Sequence, residues 1–342
     1  MKTNKFRILF AVLAIMSLTV LFSCDDDNNS AGGTPTIESV SLAKNDSLVE
    51  FGFADNMYII RGNNFSGTKK IYFNDLDTYF NATLVTNNTI LVTINRNTPY
   101  ENVSSELKVV TPGGEAVYSF RVLPPAPAIT SFNPINAAEG EQFTIYGSYF
   151  LEPSVSVGGV NATVVSSTLT QIVAVMPAGS NRKFVKVTTD SGSNIWNVSP
   201  VGTAIYDDAF YSPWTIDPSS NHEFVTNPAD AFQGTTFFKK SIPGWDNIGM
   251  NWVWDERSAQ ATGIHFAVKS DAAGKLEVIF NGDWSTITTR QFTTTTNWTD
   301  VRLTWADLGL SGAPAALQNI TFKESSGATH VYSFDNIGFT ID

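Results

Sequence analysis

Two stretches of the chain follow one pattern. The first runs Pro35-Thr-Ile-Glu-Ser-Val40, then Tyr58-Ile-Ile-Arg-Gly-Asn-Asn-Phe65, then Ile71-Tyr-Phe-Asn74. The second runs Pro127-Ala-Ile-Thr-Ser-Phe132, then Phe143-Thr-Ile-Tyr-Gly-Ser-Tyr-Phe150, then Val155-Ser-Val-Gly158. The pieces are short alternating runs rich in Val, Ile, Thr and Phe, broken by Gly, Asn and Pro. That is the signature of half-buried strands joined by tight turns, and helical periodicity is absent. An internal repeat of such runs predicts two tandem sandwiches, over residues 35–123 and 127–200. Gly62 and Gly147 hold equivalent places in the two copies and are expected to turn the chain with positive φ. The connector Val122-Leu-Pro-Pro-Ala-Pro127 is proline-rich and predicts a stiff, extended link.

From residue 201 onward the repeat stops, but short runs continue. Strands are predicted over 248–254, 263–270, 275–281, 287–292, 300–304, 319–323 and 331–339, in the manner of a jelly-roll sandwich. The fold class expected is therefore all-β: two sandwiches in tandem, followed by a jelly roll over 201–342. Within it, Ile264, Phe266 and Val268 share one face of their strand, opposite His265 and Lys269. Leu276, Val278 and Phe280 share another, opposite Glu277 and Asn281. The apolar sets read as core, and the polar sets as facing solvent or lining a glycan cleft.

The amino terminus reads differently. Lys2, Lys5 and Arg7 precede an apolar run from Ile8 to Phe22, too short for a comfortable bilayer span, and Ser23-Cys24 follows. A basic start and a short apolar run make a secretory signal over 1–24. Cys24 is the single cysteine, so no intrachain disulfide forms. Asp25-Asp26-Asp27-Asn28-Asn29 then opens an acidic, flexible tether over 25–34. A net charge of −11 argues against nucleic acid, whose phosphates need clustered Lys and Arg.

Tryptophan marks the expected working region. Of eight, only Trp196 lies before residue 201. An exposed indole covers the apolar face of a pyranose, so aligned rings make a polysaccharide platform whose polar rim reads the hydroxyls. Trp252 and Trp254 are two apart and would share one face of a strand. Trp284 lies in the turn Asn281-Gly-Asp283-Trp284, Trp245 follows Pro243-Gly244, and Trp214 follows Pro213. These five rings, with Asp255, Arg257, Asn281 and Asp283 beside them, are the candidate glycan site. Trp298 and Trp305 flank Val301-x-Leu303 and are expected to pack internally.

Several of these stretches resemble known families. Leu21-Phe22-Ser23-Cys24 resembles a lipobox, which implies cleavage before Cys24 and a lipid anchor on it. Pro127-x-Ile-x-Ser-Phe-x-Pro134, Gly140-x-x-Phe-Thr-Ile-x-Gly147, Val157-Gly-Gly-Val160 and Pro177 resemble the immunoglobulin-like IPT/TIG family. The first copy departs from it at Leu42 and at Asn74-Asp75. Asn297-Trp-x-x-Val-x-Leu, Ile320-Thr-Phe-Lys323 and Val331-Tyr-Ser-Phe-Asp-Asn-Ile-Gly-Phe339 resemble the closing strands of carbohydrate-binding modules.

The order of parts is similar to surface glycan-binding lipoproteins of Bacteroidetes polysaccharide-utilisation systems. That resemblance implies a monomer on the outer face of the outer membrane, an outer-membrane importer and a companion glycan-binding protein as partners, and no required cofactor. Paired flat rings favour a β-glucan. Asp207-Asp208 and Asp335 also match the carboxylates with which many jelly-roll modules hold a structural calcium, Asp208 and Asp335 being the ligands expected.

Catalysis finds little in the sequence. Asp255 and Glu256 are adjacent and would point apart on a strand, whereas glycosidases need two opposed carboxylates. His222, His265 and His330 are scattered, and neither His-Glu-x-x-His nor Gly-x-Ser-x-Gly occurs. An adhesin or protein-binding scaffold is the main alternative.

Overall fold

The computed structural model describes residues 32–250, 253–285 and 291–341. Every regular element among them is a strand or a short 3-10 turn. Cys24, the lipobox, most of the acidic tether and Trp252 lie outside the described residues. Three hydrophobic cores follow one another along the chain. They are built around Ile60, Phe73 and Phe120, then Phe132, Phe143 and Ile145, then Phe266, Phe322 and Phe334.

The two repeats share one detail that a sequence pattern cannot show. Thr36–Leu42 pairs antiparallel with Met57–Asn63, and its register shifts between Ile37 and Ser39. Ala128–Asn133 pairs with Gln142–Ser148 and shifts between Ile129 and Ser131. Opposite each bulge sits the repeated glycine. Neither Gly62 nor Gly147 adopts positive φ, which corrects the expectation above. The reason for glycine is close backbone approach. A Cβ on Gly62 would lie 1.8 Å from the Thr36 carbonyl oxygen, and one on Gly147 would lie 2.0 Å from that of Ala128. The rings of Phe65 and Phe150 close the same space.

Residues 123–341 form one compact unit, so the second repeat and the jelly roll are joined by more than a linker. The strand Ala204–Tyr206 runs from one core into the other and pairs with His330–Thr340. Asn136 donates to the Ala204 carbonyl at 2.9 Å and accepts from its N–H at 3.0 Å. Ser199 donates to Asn336 at 2.7 Å, and the Ile135 N–H donates to Asp207 at 2.9 Å. This junction covers the outer face of the His330–Thr340 sheet and buries His265 completely, so that residue does not face solvent. Neither ring nitrogen makes a hydrogen bond, Asp300 Oδ1 lies 4.0 Å from Nδ1, and burial pushes the imidazole down to about 3.

The jelly roll stacks two sheets. One orders Glu223–Thr226, Thr236–Ile242, His330–Thr340, Gly263–Ser270 and Thr299–Thr304. The other orders Asn247–Met250, Ile320–Glu324, Gly274–Phe280 and Gln291–Thr294. Ile248, Met250, Ile320, Phe322, Leu276 and Val278 point inward to the shared core. The opposite face of the second sheet carries the candidate site.

Candidate functional site

Cross-strand register places the side chains of that face in rows. Asn247, Lys323, Glu277 and Gln291 are successive partners across four strands. Gly249, Thr321 and Ile279 form the next row. Glu277 is buried: it accepts from Lys323 Nζ at 3.4 Å and from the Gln291 amide. Of the two readings of Glu277, the solvent-facing one fails, because neighbouring strands supply partners that hold it down within the polar row. Thr321 donates to Asn319 at 2.9 Å, and Asn319 donates to the Met250 carbonyl at 3.1 Å. Asn247, Lys323 and Gln291 stay partly open, while Thr321 and Ile279 are buried.

Three exposed indoles bound this face. Trp245 is 62% exposed and takes φ of +71° in a tight turn closed by Asp246 N–H to Pro243 O at 2.9 Å. The Glu324 carboxylate holds the turn, accepting from Ser326, Gly327 and Trp245 N–H groups at 2.7, 2.9 and 3.3 Å. Burial pushes that carboxyl up, but these bonds outweigh it and keep it below its usual value. Lys323 Nζ lies 5.4 Å from the Trp245 ring centroid, a cation–π contact that orients the indole.

Trp254 and Trp284 sit at the other end of Ile320–Glu324. Asp255 pairs with Leu317 through N–H to O bonds in both directions, and Asn281 accepts from the Gln318 N–H at 2.9 Å. The loops that carry the two exposed rings are thereby tied to residues 317–318. The turn carrying Trp284 needs left-handed backbone at Asn281 and Gly282, and Asp283 braces it by accepting from the Ser285 N–H at 3.0 Å. From Asn319 to Lys323 a strand advances about 13 Å, so the turn bearing Trp245 and the loops bearing Trp254 and Trp284 attach at opposite ends of a span long enough to seat several sugars.

The predicted strand 248–254 ends at Met250, so Trp254 is presented by a loop and not by a pleated face. Trp252 cannot be placed. Three other candidates are structural. Trp214 is buried, and its indole N–H donates to Asp255 at 2.6 Å. Asp255 is buried too, and pairs with Arg257 at 2.7 Å while capping the short turn Glu256–Gln260. Arg257 donates onward to the Gly202 and Ala204 carbonyls at 3.0 Å each, bracing the junction with the second repeat. The pair spends most of its donors and acceptors inside the fold, which makes its first role structural. Trp305 is buried, and Trp298 donates to the Asp230 carbonyl among Phe232, Phe237 and Lys269.

Asp208 accepts from Thr235 and Thr236 N–H groups at 2.6 and 2.7 Å. Asp335 accepts from Phe232 and Gln233 N–H groups at 2.9 and 3.0 Å. The two carboxylates grip the turn between them. Burial, then the nearby charge of Asp208 among smaller influences, drives Asp335 well above its usual value, and Gln233 Oε1 is buried without a partner. An orphaned amide oxygen on a residue whose N–H meets Asp335 is a ligand type that an oxygen-binding cation takes. Among the described residues, no three His, Cys, Asp or Glu side chains are grouped to hold a metal.

Comparison with known proteins follows the same division. Residues 127–203 match the IPT/TIG domain family, and this segment is an immunoglobulin-like IPT/TIG domain. An IPT/TIG domain-containing protein of Bacteroides ovatus is 31% identical over 156 residues, covering 43% of this chain. The match spans 31% of that relative's length. The surface glycan-binding protein PbSGBP-B of Prevotella bryantii superposes with a TM-score of 0.50 at 16% identity, over 90% of this chain and 99% of that one. SGBP-B from a complex xyloglucan utilization locus in Bacteroides uniformis gives a TM-score of 0.39 at 14% identity, over 90% and 100%. The Prevotella protein shares the fold.

Proposed function

We propose that this chain binds a polysaccharide without cleaving it, along the sheet face between Trp245 and the Trp254–Trp284 pair. The observation that carries this reading is the placement of three exposed indoles about the two ends of the strand Ile320–Glu324, which crosses the polar row at Lys323. Stacking supplies the affinity, while Lys323, Asn247 and Gln291 supply donors and acceptors for hydroxyls. Glu277 is the sole carboxylate in the two rows described, and it is tied to Lys323 and Gln291. The opposed pair of a glycosidase is not assembled there. An extended β-glucan, which shows flat pyranose faces to successive rings, suits this arrangement. The superposition on a surface glycan-binding protein supports the same reading.

On this proposal Cys24 carries the lipid anchor, the chain faces outward from the outer membrane as a monomer, and an importer and companion binding protein receive the glycan. A calcium ion held by Asp208, Asp335 and Gln233 Oε1 would neutralise the buried carboxylates and stiffen the turn at 232–236.

The test is calorimetric titration of the full chain with soluble β-glucans, mannans and xylans. Each indole covers about 75 Å² of sugar, worth about 1.9 kcal/mol, so Trp245→Ala or Trp284→Ala weakens binding about twentyfold. Trp214→Phe leaves affinity unchanged. Full affinity in a folded Trp245→Ala/Trp284→Ala double variant refutes the site.

A further inference from the structure

The IPT/TIG domain carries a second site of different character. Residues 127–203 contain three cationic side chains, Arg182, Lys183 and Lys186, and all fall within five positions. They border a hollow of about 600 Å³ on the outer face of the strands Ser154–Val157 and Val185–Thr189. Register builds its floor as a row: Asn161, Ser156, Lys186 and Ile195 are successive partners across four strands. At its end the Gly158-Gly159 turn, with positive φ at both residues, leaves room for the Lys183 stem to lie across Gly158. A Cβ there would come 2.6 Å from Lys183 Cγ. No carboxylate lines the hollow, and among the described residues neither Lys183 nor Lys186 forms an ion pair. Arg182 closes one side by donating to Gln260.

We propose that this hollow binds an acidic sugar: a uronic acid residue carried as a side group on an otherwise neutral polysaccharide. Three features select that class. Unpaired lysine ammonium groups over a floor of amide and hydroxyl groups match a ring bearing one carboxylate and several hydroxyls. Exposed Ile195 offers an apolar surface to the ring's C–H face. The whole chain carries −11, so a uniformly anionic polymer is repelled, whereas a lone carboxylate within about 8 Å of the lysines feels mainly them. The inference rests on the glycan-binding reading for its neutral backbone alone.

The experiment compares glucuronic-acid-substituted xylan with the same polymer after carboxyl reduction, using the full chain at low salt. Binding to the acidic form should be about fivefold tighter. The difference should vanish in Lys183→Gln/Lys186→Gln and at high salt. Free glucuronate should shift the backbone amide resonances of Gly158, Gly159 and Asn161, which keeps the test independent of the jelly roll. If neither polymer binds, xylan is not the backbone the jelly roll takes, the glucan and mannan titrations decide the proposed function, and these shifts alone decide the present inference. Equal affinity for both polymers, a preference that survives the lysine substitutions, absent glucuronate shifts, or equal shifts with inorganic phosphate would overturn it.

Discussion

Replacing Asp255 by alanine should unfold the jelly roll far more readily while leaving its sugar chemistry alone. The carboxylate is buried and serves three donors: the Trp214 indole at 2.6 Å, the Arg257 guanidinium at 2.7 Å and the Arg257 N–H at 3.0 Å. Without it the Trp214 N–H stays buried and unpaired, costing about 1–3 kcal/mol, and the charge-assisted bonds to Arg257 cost about 1.5–3 kcal/mol more. Arg257 keeps its bonds to the Gly202 and Ala204 carbonyls, which limits the total to about 3–5 kcal/mol. For a domain of this size that lowers Tm by roughly 10 °C. Seven of the eight tryptophans lie in 201–342, so intrinsic fluorescence during urea unfolding reports this domain. Trp214→Phe should cost less, because the Asp255–Arg257 pair survives it. A loss below about 1 kcal/mol for Asp255→Ala would refute the argument that this cluster is structural, and would return Asp255 to the list of ligand-contacting groups.

Gly147→Ala should destabilise its unit by about 3 kcal/mol, since the added Cβ would lie 2.0 Å from the Ala128 carbonyl oxygen and the ring of Phe150 closes the same space; chemical denaturation of the variant checks it. His265 is protonated in the unfolded chain below about 6.5 but stays neutral in the fold down to about 3. The unfolded state therefore binds the extra proton, and stability should fall as pH drops below 6.5, with a slope approaching about 1.4 kcal/mol per pH unit. His265→Gln should flatten unfolding curves measured across that window. If calcium sits against Asp208 and Asp335, chelation lowers Tm in differential scanning calorimetry and added calcium restores it; an unchanged Tm removes the ion from the account.

Much of the fold was legible because it is local. Alternation over short runs, turn residues at their ends and the repeated Pro-x-Ile and Phe-x-x-Gly pieces each act within a few neighbours, so the strands at 263–270 and 331–339 needed no tertiary information. The exposed turns bearing Trp245 and Trp284 were readable for the same reason, since Pro-Gly and Asn-Gly dictate backbone that leaves a large ring outside. Alternation along Asn319-Ile-Thr-Phe-Lys323 also carried the polar row, though the sequence reading passed over it.

What the sequence could not reveal is where side chains meet across strands. Trp214 and Asp255 look as available as Trp245 until chain closure brings them within 2.6 Å and buries both. Glu277 reads as a solvent or a cleft residue until register sets it between Lys323 and Gln291. Gly62 and Gly147 read as turn formers until a carbonyl from a distant strand occupies the space of their missing Cβ. Local propensity chose the strands. Burial, pairing and the grouping of the indoles are non-local quantities, decided when two sheets pack and one register is selected.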